Sequence, residues 1–419
     1  MLSFLLISCV KENSNLPNSV GIVETDYKLE SAIAELYSMM DVIASHDTKS
    51  LHSKTISKVT TLTSSDFYFL NNQTKSVKED SDIVYIVDFN EGGCAVLGAD
   101  DRLKPVILIL ENGTIDPMTI TSIIPTPIGN SLFDYYNEEM QEYYIGNKEN
   151  ILGSSNIISL YIERMLTHPS SVDDENYTYQ LSIDAVPPIL NTRWHQGSPY
   201  NNKMPLLITM TRRPMGCTTL ALLQILVANK DIPISAFGVT ESTWEDLDVV
   251  GIYDSDDSPE NLQLIDDVST IARRLADGID VFYNFLFSGG TFATPKQVCN
   301  YMKEIGYEYA DVVMGFSLSS ILNMLQLNKP VFIAALNGGF NGHAWVIDGY
   351  VNRIATHNVT GERTEQLLLH CNWGWAGLDD GYYIPELFDS DGFVIPDYPT
   401  YIGDDPGFNA SWWYRQIVY

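Results

Sequence analysis

Pro214-Met215-Gly216-Cys217-Thr218-Thr219-Leu220 runs without interruption into Ala221-Leu222-Leu223-Gln224-Ile225-Leu226-Val227-Ala228. A segment this apolar on nearly every side predicts a central helix enclosed by the rest of the chain, with a cysteine at its amino end. Downstream lies Gly342-His343-Ala344-Trp345-Val346-Ile347-Asp348-Gly349-Tyr350, whose alternation predicts a strand headed by a histidine. Asn372-Trp373-Gly374-Trp375 follows. The order Cys, His, Asn is that of a thiol nucleophile with an imidazole base held by a third group.

A neutral thiol is a poor nucleophile and a thiolate a good one. Cys217 gains from the unpaired N–H groups and dipole of its helix amino terminus, and an imidazolium at His343 would supply the rest. Gly216 is expected to clear space for a substrate backbone. A lone buried cysteine is ordinarily inert packing; here its companions decide otherwise. His343 follows a glycine-rich loop and heads a strand, which predicts a place in a cleft, whereas His195, His357 and His370 lack such a setting. Asn372 is expected to accept from the ring and hold its tautomer, with Trp373 covering that bond from water. Gln196, in Trp194-His195-Gln196-Gly197-Ser198-Pro199-Tyr200, is positioned to donate with the Cys217 N–H into an oxyanion hole.

With 54 acidic against 24 basic residues the chain carries a formal charge of −30. Phosphate backbones and anionic membranes repel such a surface, so nucleic acid is excluded as a partner. The amino end, Met1-Leu2-Ser3-Phe4-Leu5-Leu6-Ile7-Ser8-Cys9, reads as an export signal ending in a lipobox-like Leu6-Ile7-Ser8-Cys9, with Cys9 as the expected lipid-bearing residue. Export to the cell surface, or secretion after processing, follows as the expectation. Cys94, Cys217, Cys299 and Cys371 form no Cys-x-x-Cys pair, and the histidine spacing offers no zinc set. The acidic loop with Asp254, Asp256 and Asp257 lacks the glycine and terminal glutamate of a calcium loop. No metal or cofactor is therefore expected.

At 419 residues two domains are expected. After a signal (1–9) and a flexible tether (10–24) comes a smaller α+β domain (25–166). It opens with a helix over Tyr27–His46 and continues with strands over Asp82–Phe89, Cys94–Leu97 and Val106–Leu110, then helices over Tyr135–Tyr144 and Ile157–Met165. A polar linker (167–184) precedes the second domain (185–419), in which helices over 217–228, 262–275, 295–305 and 317–325 are followed by strands over 330–336, 344–350, 366–371 and 381–384. Segregation of helices from strands predicts α+β rather than an alternating α/β order.

At these motifs the sequence resembles the streptopain family of bacterial cysteine peptidases, within the papain-like superfamily. The likeness rests on Leu190-Asn191-Thr192 with Trp194 to Asn202, on Gly216-Cys217 and its helix, on Gly342 to Tyr350, and on Asn372-Trp373-Gly374-Trp375-Ala376-Gly377 with Asp380-Gly381. It implies a papain-like catalytic domain, a central buried helix packed on an antiparallel, barrel-like sheet, with Cys217 as nucleophile, His343 as base and Gln196 as oxyanion donor. It also places Asn372 and Trp373 beside the histidine. Residues 25–115 resemble that family's inhibitory prosegment, which implies a zymogen acting on protein or peptide substrates, held by its own prodomain and activated by cleavage between Thr167 and Ala185. Thr218-Thr219-Leu220-Ala221 departs from the family's usual residues after the nucleophile, and Arg212 and Arg213 bring two unusual cations near it. A catalytically silent binding module on the same fold and a related Cys-His acyl transferase or amidase are the competing readings.

Overall fold

A computed structural model describes residues 24–46, 54–67, 80–121, 158–159, 161–162, 165–166, 179–207, 210–283, 291–336, 342–357, 361, 363–388 and 413–419. The signal, the tether, the helix expected over 135–144 and most of the expected linker lie outside them. In the amino-terminal region helix α1 (Glu24–His46) buries Leu36, Met39, Met40 and Ile43. Strands β1 (Ile56–Thr63), β2 (Asp82–Phe89), β3 (Cys94–Gly98) and β4 (Val106–Leu110) form an antiparallel meander. The β2–β3 turn requires Gly93, at φ +81°, because a Cβ there would stand 2.3 Å from the Leu110 carbonyl.

β4 carries Val106-Ile107-Leu108-Ile109-Leu110, every one buried. A strand apolar on both faces must be enclosed and needs a partner on each edge. β3 takes one edge. The other pairs with β10 (Gly381–Tyr383), Leu110 opposite Gly381 and Leu108 opposite Tyr383. Through this contact the two halves of the chain share one eleven-stranded sheet. Its order is β1-β2-β3-β4-β10-β9-β8-β7-β11-β6, where β6 is Asp311–Met314, β7 Val331–Leu336, β8 Gly342–His357, β9 Arg363–Asn372 and β11 Trp413–Val418. One apolar core likewise runs from Leu36 and Leu110 to Trp345, Trp373 and Phe388. The two regions expected from the sequence are thus packed as one.

Residues 179–184, read as linker, belong instead to strand β5 (Tyr179–Val186), which pairs with the far half of β8, Tyr350 opposite Val186. On the opposite face of the sheet from the shared core, α2 (Cys217–Asn229) packs on β8 and β7 and is flanked by α3 (Pro259–Ile279) and α4 (Pro295–Ile305). Thr218 to Val227 are all buried, as an all-round apolar helix requires. α3 begins earlier than its apolar spacing indicates, because Ser258 caps the Asn261 N–H and Pro259 suits the first turn. α5 is Leu318–Gln326. Helices gathered against an antiparallel sheet make the chain α+β, as expected.

Candidate active site

Cys217 is the first residue of α2, and the backbone N–H groups of Ala344, Thr218 and Cys217 itself favour its anion. Burial outweighs them and pushes the thiol above its ordinary value. The Ala344 N–H sets the thiol against the start of β8, where His343 sits. Gly216, ahead of the thiol, has φ +92°, and a Cβ there would lie 2.9 Å from Thr291 Cγ2. Its side chain is excluded by the protein's own Thr291, whose hydroxyl donates to the Pro214 carbonyl at 2.8 Å. The sequence reading assigned that space to substrate.

His343 is 4% exposed. Its ring lies 4.9 Å from that of Trp375 and stacks within 17° of Trp373 and within 7° of Trp345. This aromatic enclosure strips water from the ring, and burial lowers its pKa to about 4, the Trp373 carbonyl opposing. Nε2 is 2.9 Å from that carbonyl. A carbonyl only accepts, so Nε2 carries the hydrogen and the basic lone pair is on Nδ1. Among the described residues neither ring nitrogen is hydrogen-bonded to the thiol. With one pKa raised and the other lowered, both groups are neutral near pH 7 in this form.

The partner that orients the ring is therefore the backbone of Trp373 and not the side chain of Asn372. Asn372 Oδ1 accepts from the Gly374 N–H at 3.1 Å and from Gln224 Nε2 at 3.2 Å, and its Nδ2 donates to the Thr192 carbonyl at 2.7 Å. Asn372 shapes the turn that presents residue 373: its oxygen holds the Gly374 N–H, and its remaining bonds go to Gln224 and Thr192 instead of the ring. The Trp373 N–H donates to Asp380 Oδ1 at 2.9 Å and its indole N–H to the Tyr383 hydroxyl at 3.0 Å. Sequence reasoning missed Gln224 and Asp380. The signal for Gln224 was available: an amide inside an apolar helix must meet buried polar partners.

Gln196, 7% exposed, is drawn to the thiol's approach by its carbonyl, which accepts the Met215 N–H at 3.0 Å. The Ala376 N–H donates to the Trp194 carbonyl at 3.0 Å and closes the loop of Gln196 onto the tryptophan turn. Four segments distant in sequence thus meet at one corner. His195 accepts the Gly197 N–H on Nδ1 at 3.2 Å and is held neutral by burial. Of the two cations, Arg212 donates to the Met204 carbonyl, and Arg213, 2% exposed, lies over the Tyr283 ring.

Below the corner is a second buried cluster. His370 Nδ1 is 2.6 Å from Asp348 Oδ1, and its Nε2 is 3.4 Å from Glu111 Oε1. Glu111, at the end of β4, also meets Arg193 Nη2 at 2.5 Å, and its backbone carbonyl accepts from Lys54 Nζ at 2.8 Å. Burial opposes charge on His370, but Asp348 and then Glu111 prevail and hold its pKa well above the ordinary range. His370 is thus a buried ion-pair member.

The structure thus sets a thiol at a helix amino terminus against the strand that carries His343, with the Gln196 loop beside it. Residues 194–383 match the model of the Peptidase C10 family, so the streptopain-type resemblance holds over that stretch. The chain is 26% identical over 357 residues to the thiol protease/hemagglutinin PrtT of Porphyromonas gingivalis, covering 77% of this chain and 37% of that protein. Among solved structures it resembles a prointerpain A fragment of Prevotella intermedia, at TM-score 0.48 and 18% identity over 80% of this chain and 95% of that one. Active interpain A gives TM-score 0.37 and 20% identity over 56% and 95%.

Proposed function

We propose that this chain is an exported cysteine endopeptidase made as a zymogen. The observation that carries the reading is the junction of α2 with β8: a thiol at a helix amino terminus, set against the residue after a histidine whose Nε2 is committed elsewhere. Nδ1 takes the thiol proton, and the sulfur attacks a peptide carbonyl. The resulting oxyanion is met by the Cys217 N–H and the Gln196 amide. His343 then gives its proton to the leaving amine, and water releases the acyl group by the same path. The enzyme's own groups complete each step.

Residues 25–166 act as the prosegment. Support comes from the sheet and core that their described part shares with the carboxyl-terminal region. Cleavage within 167–184 then frees the enzyme. The lipobox-like run at Cys9 supports export and lipid anchoring, testable as a lipid mass increment lost in Cys9→Ala. The principal test is Cys217→Ala in the full chain, which abolishes both self-processing and casein hydrolysis. Maturation and hydrolysis by that variant, in a host free of other proteases, would sink the proposal.

A further inference from the structure

We propose that Asp380 is a positioning residue for the catalytic imidazole, acting through Trp373. Asp380 is 2% exposed, and its Oδ1 holds the Trp373 N–H at 2.9 Å. The carbonyl of that same residue 373 holds His343 Nε2, also at 2.9 Å. Residue 373 is gripped on one side by a carboxyl and presents the other to the ring. The next residue, Gly374, has φ +71° and backs onto Leu220 of α2, 2.7 Å from where its Cβ would be, so the turn is blocked on that side as well. Asp380 is itself fixed, since its carbonyl accepts the Glu111 N–H at 2.9 Å. The charged groups facing it are His370, Glu111 and Arg193. Burial raises its pKa to about 7, which keeps a carboxyl here sensitive to those neighbours. Loss of the grip frees the 373 carbonyl, and the ring loses the bond that fixes its tautomer.

The inference rests on Cys217 and His343 being the reacting pair, and the experiment separates the two. Iodoacetamide alkylation of Cys217 is followed across pH in the full chain by mass spectrometry, alongside kcat and KM of the matured enzyme. His343→Ala, Asp380→Ala and Asp380→Asn are compared with wild type. Asp380→Ala should lower kcat about 10- to 100-fold with KM little changed, the scale of losing a group that orients a reacting side chain. It should also move the alkylation profile toward that of His343→Ala. Asp380→Asn keeps an acceptor oxygen and should recover most of the activity. A folded Asp380→Ala with a wild-type profile, or an asparagine variant no better than the alanine, overturns the assignment. If the alanine chain does not fold, Asp380→Glu replaces it: the acceptor is displaced by a methylene, the same loss is expected, and a wild-type profile again overturns the proposal. If His343→Ala leaves alkylation unchanged, the reacting pair itself is wrong.

Discussion

Glu111→Gln removes one negative charge from the buried cluster that joins the amino-terminal region, proposed above as the prosegment, to the carboxyl-terminal region, and preserves the side chain's shape. The Glu111 side chain is 5% exposed, against 33% for Arg193, and His370 on its other side is 6% exposed. Removing one member of a buried pair costs about 3–5 kcal/mol, because the remaining charges lose their compensation. Arg193 is a third solvated and the glutamine oxygen still accepts from it, which reduces the expected loss to about 2–3 kcal/mol. That is a factor of about 30–150 in the equilibrium between docked and released prosegment. In a Cys217→Ala background, hydrogen exchange reads it at the Glu111 and Ile384 amides, which bond to the Asp380 and Ile107 carbonyls across the β4–β10 seam. Both should exchange faster by about that factor, and with the thiol restored the lag before maturation should shorten. A folded variant with wild-type protection and lag would refute the reasoning.

Three further outcomes are expected. Gln196→Ala should lower kcat by about 100-fold or more with little change in KM, measured on the matured enzyme, since an oxyanion donor acts chiefly in the transition state. Gly216→Ala forces a side chain to φ +92° and onto Thr291, so thermal unfolding should report a loss of about 1–3 kcal/mol. His343 has a folded pKa near 4, below its usual value, so the unfolded chain binds the proton first. Its contribution is intact above about pH 6.5 and disappears as pH falls through about 4. Denaturant titrations should show about 3 kcal/mol lost across that window, and His343→Gln should remove that part of the slope.

Local pattern made much of this legible. The amphipathic period from Leu29 to Ile43, the cap at Thr294-Pro295 and the alternation from Ala344 to Tyr350 each report on neighbours within a few residues, and each element formed where expected. β1, β6 and β11 were missed. Ile56–Thr63 is largely polar and half-exposed, and Trp413–Val418 takes its place only by lying between β7 and β6. The site divides in the same way. Motif order singled out Cys217, His343, Gln196 and Trp373, and the structure brings their segments to one corner. Asn372's partners were not legible in it, because two of them, Gln224 and Thr192, lie far along the chain and meet it only once the fold closes.

By itself the sequence determined a thiol at the mouth of a buried helix, a histidine heading a strand, an α+β class and a strongly acidic surface, since these follow from residue type and periodicity. Only the tertiary structure decided that β4 seals against β10, that Glu111 reaches Arg193 and His370, and that the Trp373 carbonyl accepts from Nε2 of His343. Such contacts join residues from tens to hundreds of positions apart, and no local period carries information about which edges and charges meet when the chain closes.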